Sequence, residues 1–366
     1  MKSLSIFLGA CALLCSASAT AAVPLDKLSV PSGFQIEVLS DQVPNARQMA
    51  IGAQGTLFVG TRREGKVYAL PDRNRDGTPD EVKIIARGLT MPSGIAFREG
   101  DLYIGARDTI YRFSNIESRL DEPGKPEIVK DDLPDKSHHG WKHVAFGPDG
   151  RLYIPVGAPC NICDPEAPFA SILSYDLEGG KTTTFAWGIR NSVGFDWHPT
   201  TGELWFTDNG RDMLGDDVPA DELNRAPRSG LHFGYPYVHA GDIPDPEFGK
   251  GHVPEDYAAP ALAIQAHSAA LGMKFYVGDQ FPERYRGAIF IAEHGSWNRS
   301  KKVGYRVSVA FLEGNRVVRH EPFVTGWLEG EKNWGRPNDV LVTPDGSLLI
   351  SDDQGGVIYR VRHGRK

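Results

Sequence analysis

Apolar and polar residues alternate in short runs along most of the chain, each opened by a turn residue. The runs are GTLFVGTRREGKVYAL from Gly55, GDLYIGARDTIYRF from Gly100, DGRLYIPVGAP from Asp149, GELWFTDNGRD from Gly202, GAIFIAEHGSWNRSKKVGYRVSVAFL from Gly287 and DGSLLISDDQGGVIYRV from Asp345. Period-two alternation bounded by Gly, Asp and Asn predicts strands, and the second run that often follows a short polar loop predicts antiparallel pairing. With Leu57, Leu102, Leu152, Leu204, Ile289 and Leu348 as markers, the units are spaced by 45, 50, 52, 85 and 59 residues. One twisted sheet cannot bury both its faces but a ring of sheets can, and repeats of roughly 40 to 50 residues point to propeller blades. The predicted fold class is therefore all-β, a single six-bladed β-propeller over residues 22–366. No helical period is sustained.

Two segments depart from the repeat. The 85-residue interval holds an insertion, about residues 230–265, whose Phe233 to Ala261 stretch is rich in Pro, Gly and aromatic residues. Loops this long in compact domains are often functional. FQIEVLS, Phe34 to Ser40, is too isolated to begin a blade and is expected to add a strand to the last one, closing the ring.

The first 21 residues have the layout of a secretory signal: one lysine, an apolar run from Leu4 to Leu14, then small residues ending in Ala19-Thr20-Ala21. A lipobox at Leu8 to Cys11 competes, with only a short apolar region before it. No later run approaches the roughly 18 apolar residues of a membrane span, so a periplasmic or secreted protein is expected, not an integral membrane protein. The formal net charge of −7 grows one unit more negative when Lys2 leaves with the leader. That argues against nucleic acid or an anionic membrane as main partner. Past the leader only Cys160 and Cys163 remain. In an oxidising compartment this pair is expected to form a local disulfide, and Asp164 stands where a haem-attachment motif needs His.

Candidate chemistry gathers in the loops that flank the strands, because those loops converge on a propeller's central channel. SHHGWKH places His138, His139 and His143 ahead of the third unit, and a neutral imidazole at the channel mouth could serve as general base; a backbone-bonded loop histidine is the alternative. Arg190 and Asn191 precede the fourth unit, Arg336 and Asn338 the sixth. Guanidinium groups from two blades suit a ligand bearing several carboxylates or carbonyls, or else form ion pairs between blades. TDNGRDMLGDD, from Thr207, adds carboxylates and carbonyls of the kind calcium takes. DRNRDGTPDE, from Asp72, offers Asp72, Asn74, Asp76 and Asp80 as ligands of a second, structural calcium, although Lys83 replaces the terminal Glu of an EF-hand. A solvated turn competes.

Taken together, HHGWKHVAFGPDGRLYIPVG, PCNIC, WGIRNSVGFDWHP, TDNGRDMLGDDVPADELN, FGYPY, HGSWNRS and GRPNDVLVTPDGSLLISDD resemble the sorbosone dehydrogenase branch of the soluble, pyrroloquinoline-quinone (PQQ) dependent sugar dehydrogenases. The resemblance runs through most of residues 22–366 and implies a six-bladed propeller with PQQ and calcium at the top of the channel. It places His139 as catalytic base and Arg190, followed by Asn191, beside the reactive quinone carbonyl. Arg336 would hold quinone carboxylates, with Asn338 where the glucose enzymes carry a second arginine. Gly210 and Arg211 would give backbone carbonyls to calcium, while Asn209, His294 and Ser296 would contact PQQ. The implied activity is oxidation of an aldose or sugar aldehyde by hydride transfer to the quinone. With no fused cytochrome domain in the sequence, electrons are expected to pass to a separate acceptor, a cytochrome or a quinone. A calcium-dependent lactonase or esterase and a non-catalytic binding propeller use the same architecture and stand as alternatives.

Overall fold

A computed structural model describes residues 22–364; the leader lies outside the described residues. Six four-stranded antiparallel sheets follow one another around a central axis, and the only helical elements among the described residues are four single 3-10 turns. The first three blades run Ala46–Ile51 to Lys83–Ala86, Gly94–Arg98 to Glu127–Lys130, and Ala145–Phe146 to Thr182–Trp187. The fourth runs Phe195–Trp197 to Leu262–Ile264, the fifth Ala270–Phe275 to Arg316–Val324. The sixth takes its outer strand from the other end of the chain: Phe34–Ser40 pairs antiparallel with Val357–His363, Phe34 opposite His363.

Six hydrophobic clusters explain the ring, because each lies between two neighbouring blades. Phe58, Val67, Ile95 and Leu102 join the first blade to the second, and Val43, Leu57, Leu349 and Ile358 join the sixth to the first. No blade keeps an apolar face of its own. The closing strand is anchored by Phe34, whose ring meets Phe281, Phe323 and Tyr285 edge-on at 4.8, 5.1 and 5.4 Å. Phe34→Ala is therefore expected to cost about 3–5 kcal/mol, read as a lower urea midpoint; a midpoint unchanged from the unmodified protein would show that the closure does not depend on this ring.

The marker strands identified from the sequence are the second strand of each blade, not the innermost. They are buried on both faces, which is why they read so clearly. The innermost strands are shorter or bent: two residues in the third blade, three in the fourth, and shifted in register at Ala46/Met49, Ala270/Met273 and Pro337/Asp339 in the first, fifth and sixth. The insertion lies between the third and fourth strands of the fourth blade and lends Leu231–His232 as a parallel addition to the third.

Asp339, on the innermost strand of the sixth blade, sits buried beside the axis. One carboxylate oxygen accepts the Met49 N–H at 2.9 Å, the other has no partner, and burial pushes the carboxyl up to about 7. The folded protein thus holds a proton that the unfolded chain releases near pH 4, so this group's contribution to stability is full at low pH and lost as pH rises through 7. Asp339→Asn, which fixes the neutral form, should raise the melting temperature by a few degrees at pH 8.5, at roughly 2–4 °C per kcal/mol, and by much less at pH 5. Equal shifts at both pH values would refute the assignment.

Candidate active site

The chain reaches one end of the axis twice per blade: entering the innermost strand and leaving the second. A cavity of about 240 Å3 opens there. The first blade contributes Arg47 and Arg62, the third His139 and Trp141, the fourth Arg190, Asn191, Asn209 and Gly210, the fifth His294 and Trp297, and the sixth Arg336. A larger groove of about 410 Å3 lies at the opposite end, between the first and sixth blades, floored by Leu39, Ile51, Leu57 and Leu349. Asp72, Arg75, Asp76, Asp345 and Arg360 also line that groove, but the guanidinium and imidazole groups from several blades converge on the 240 Å3 cavity.

His139 is buried, with a left-handed backbone (φ 49°) that turns its ring to the channel mouth. Its Nδ1 lies 2.9 Å from the Ala158 carbonyl. A carbonyl can only accept, so Nδ1 carries the proton and Nε2 keeps a free lone pair. Burial, reinforced by the Arg190 charge, holds the imidazole well below its ordinary pKa, so it is neutral at pH 7. His138 packs against it, ring centroids 4.1 Å apart. His143 belongs elsewhere: it is buried at the axis against Phe195 and within 3.2 Å of the Gln48 amide.

Arg190 is fixed from both ends. Its backbone N–H and that of Asn191 donate to the two oxygens of buried Asp208, at 2.8 and 2.6 Å. Its guanidinium donates to the Asn161 and Asn209 carbonyls, the Asn161 amide oxygen and the Asp212 carboxylate. Arg336 donates to the His294 and Gly295 carbonyls at 3.0 and 2.6 Å. His294 Nε2 stands 2.8 Å from one oxygen of Asp353, whose other oxygen pairs with Arg47 at 2.5 Å. Burial pushes His294 down to about 4. Burial works against ionisation of Asp353 too, but Arg47 and His294 overcome it and hold that carboxyl below the usual range. Arg62 stacks over the Trp141 ring at 3.9 Å; burial and the neighbouring Arg47 lower it to about 10, so it remains charged at neutral pH.

The remaining sequence-predicted residues separate. Asn191 donates to the Asn209 amide oxygen at 3.1 Å, and Asn209 donates to the Ala270 carbonyl at 2.7 Å. Gly210 forms part of the wall, its N–H on Asp221. Arg211 turns its guanidinium away to buried Asp245 in the insertion. The Ser296 hydroxyl accepts the Val303 N–H behind the wall, and Asn338 lies deeper on the axis beside Lys142 and Asp339. Asp72, Asn74, Asp76 and Asp80 form an outer turn of the first blade, where Asp72 accepts the N–H groups of Asp76 and Gly77, Asp76 that of Thr78, and Asp80 that of Arg73. Among the described residues no three His, Cys, Asp or Glu side chains converge as metal ligands. Cys160 and Cys163 are joined in a disulfide.

Sequence reasoning missed Arg47, Arg62, Trp141 and Asp353. A register argument could have found two of them. Five residues beyond each strand marker stand Arg62, Arg107, Gly157, Asn209, His294 and Asp353, all at the same end of their blades.

The model of the family described as Glucose / Sorbosone dehydrogenase matches residues 165–360, and that of the TrAA12-like family matches 28–242. A protein of Hypocrea jecorina named pyrroloquinoline quinone-dependent sugar dehydrogenase is 30% identical over 298 residues, 66% of this chain and 69% of that one. An uncharacterized protein of Borreliella burgdorferi is 36% identical over 351 residues, 91% of this chain and 90% of that one. A calcium structure of the Trichoderma reesei carbohydrate-active enzymes family AA12 superposes with a TM-score of 0.81 at 20% identity, covering 92% of this chain and 97% of that one, a likeness of fold. The matches thus define the class as that of the soluble PQQ-dependent sugar dehydrogenases. The chain belongs to the glucose/sorbosone dehydrogenase family.

Proposed function

We propose that this protein is a PQQ- and calcium-dependent oxidoreductase of the periplasm that oxidises an aldose or sugar aldehyde and passes the electrons to a separate acceptor, a cytochrome or a quinone. The observation that carries the reading is the convergence of four guanidinium groups, Arg47, Arg62, Arg190 and Arg336, on one cavity beside a neutral histidine. Buried Nε atoms of Arg47 and Arg62 have no partner. Unpaired buried donors are costly, and a ligand with several carboxylates would satisfy them. Arg47 and Arg62 supply the positive charge that Asn338 does not. Calcium would sit at the Gly210–Arg211 carbonyls; the Asp72–Asp80 turn remains a proposed outer site. The apolar leader and the disulfide both suit an exported protein.

When bound, PQQ supplies a two-electron hydride acceptor, chemistry no side chain here provides. The protein does the rest. Arg47, Arg62 and Arg336 hold carboxylates and orient the cofactor. The His139 Nε2 lone pair takes the hydroxyl proton of the sugar as its carbon gives up hydride. Arg190 directs a donor at the oxygen on which charge develops.

The test is equilibrium binding to the cofactor-free protein. PQQ should bind more tightly with calcium present, and calcium should bind more tightly by the same factor with PQQ present, since coupling between the affinities of two ligands is reciprocal. The loaded protein should then reduce an artificial dye with at least one member of a panel of aldoses and aldehydes. Absence of PQQ binding in calcium-containing buffer, or hydrolysis of sugar lactones with calcium alone, would overturn the proposal in favour of a lactonase.

A further inference from the structure

We infer that Asn161, held in place by the Cys160–Cys163 disulfide, is the positioning residue for Arg190; the inference rests on the role just given to that arginine. A guanidinium has five N–H donors in a rigid fork. Here four are spent. Nε donates to the Asn161 carbonyl at 2.8 Å, Nη2 to the Asn161 Oδ1 at 2.8 Å and to Asp212 at 3.2 Å, and Nη1 to the Asn209 carbonyl at 3.2 Å. One Nη1 proton is left for the cavity. Because a single residue takes two of the four bonds, one through its backbone and one through its side chain, the plane of the guanidinium is set by Asn161.

Asn161 is itself committed to this task. Its Oδ1 also accepts the Asp212 N–H at 2.8 Å and its Nδ2 donates to the Asp212 carbonyl at 3.1 Å, tying together the two loops on either side of the arginine. Yet it stands in the irregular segment between the second and third strands of the third blade, where no ladder restrains it. The disulfide provides the restraint, bridging the residues immediately before and two after it. The inserted loop adds a second, since Tyr235 accepts the Cys163 N–H at 3.1 Å and packs with Ala158, Ala170, Cys160 and Ile162. A bridge spanning so few residues removes little freedom from the unfolded chain compared with one closing a long loop. Its effect is local, and what it localises is the asparagine. Ala158, just upstream, takes the His139 Nδ1–H on its carbonyl and gives its own N–H to the Arg190 carbonyl at 2.8 Å. The clamp therefore adjoins both residues assigned to the chemistry.

The experiment compares unmodified protein, Cys160→Ser/Cys163→Ser, Asn161→Ala and the triple variant. The first readout needs neither cofactor nor substrate: exchange of the Arg190 Nε–H proton, followed by nitrogen-15 NMR on cofactor-free protein and assigned by its loss in Arg190→Lys. Exchange should be at least about tenfold faster in the disulfide variant, as a local contact opens. The second is steady-state dye reduction, in which kcat should fall roughly tenfold to a hundredfold with KM within about twofold, and the triple variant should be no worse than the worse of its parents, as for residues acting through one contact. Exchange and kcat both within about twofold of the unmodified protein would overturn the inference, as would fully additive losses. If the disulfide variant does not fold, Asn161→Ala carries the same two readouts. If no sugar reduces the dye, the proposed activity fails, while the exchange rates still decide the role of Asn161.

Discussion

His139→Ala should bind PQQ within a few-fold of the unmodified protein and lose roughly a hundredfold to ten-thousandfold in turnover, the range for removing a positioned general base. The structure gives the reason for so large a loss. Nδ1 is committed to the Ala158 carbonyl, so the ring is held in one tautomer with the Nε2 lone pair free, and no water or neighbouring side chain can assume that geometry at no cost. His138, packed against it, is the nearest substitute, but it is exposed and bonds the Cys160 backbone instead of Ala158. Burial first and Arg190 second hold His139 well below the ordinary imidazole pKa. The acid limb of the rate profile should therefore lie well below pH 6.5, with a flat rate through neutrality. Arg62→Ala should behave differently, weakening PQQ binding while leaving turnover at saturating cofactor nearer normal, because its proposed contact is with carboxylates remote from the reacting carbon. Equal dye reduction by His139→Ala and unmodified protein across a broad sugar panel, or an acid limb centred at 6.5, would remove His139 from the mechanism.

Why some of this was readable in advance and some was not comes down to burial. Second strands such as Leu152–Val156 and Leu348–Asp352 are covered on both faces, so their runs are strongly apolar and repeat visibly. The closing strand was legible for the opposite reason: Phe34–Ser40 has no partner nearby in sequence, so it had to find one at the other end of the chain. Innermost strands gave a weaker signal. They carry the polar site residues at their upper ends, and those of the first, fifth and sixth blades shift register there, which re-aims side chains toward the channel. Arg47 lies within such a shifted segment, and nothing in the alternation around NARQMAI marks it as pointing inward. His139, Arg190 and Arg336 were accessible because they precede strands whose turns could be counted. The Arg211 side chain lay outside that approach: the resemblance spoke only of its backbone carbonyl, and its guanidinium reaches buried Asp245 in the insertion, a long-range pairing that no local pattern encodes.

Gly157→Ala should lower turnover about tenfold or more while costing roughly 1–3 kcal/mol of stability, although it adds only a single methyl group. Gly157 occupies the position that in the other blades holds Arg62, Arg107, Asn209, His294 or Asp353, five residues beyond the strand marker. Five blades place a side chain there. The third places none, because a Cβ at Gly157 would come within 2.6 Å of the His139 Cβ, 3.1 Å of the His139 carbonyl oxygen and 3.3 Å of the Arg190 carbonyl oxygen. At least one of these must give. Moving His139 stretches its bond to Ala158, and moving Arg190 stretches the Ala158 N–H contact to its carbonyl, so either relaxation disturbs the pair through the same peptide. The glycine has an ordinary backbone conformation, which makes the substitution a test of space alone. Its signature should be a fall in kcat with PQQ affinity nearly unchanged, since Arg47, Arg62 and Arg336 lie on other blades. Unmodified turnover in Gly157→Ala would mean that the close approach of these loops is not what places the base.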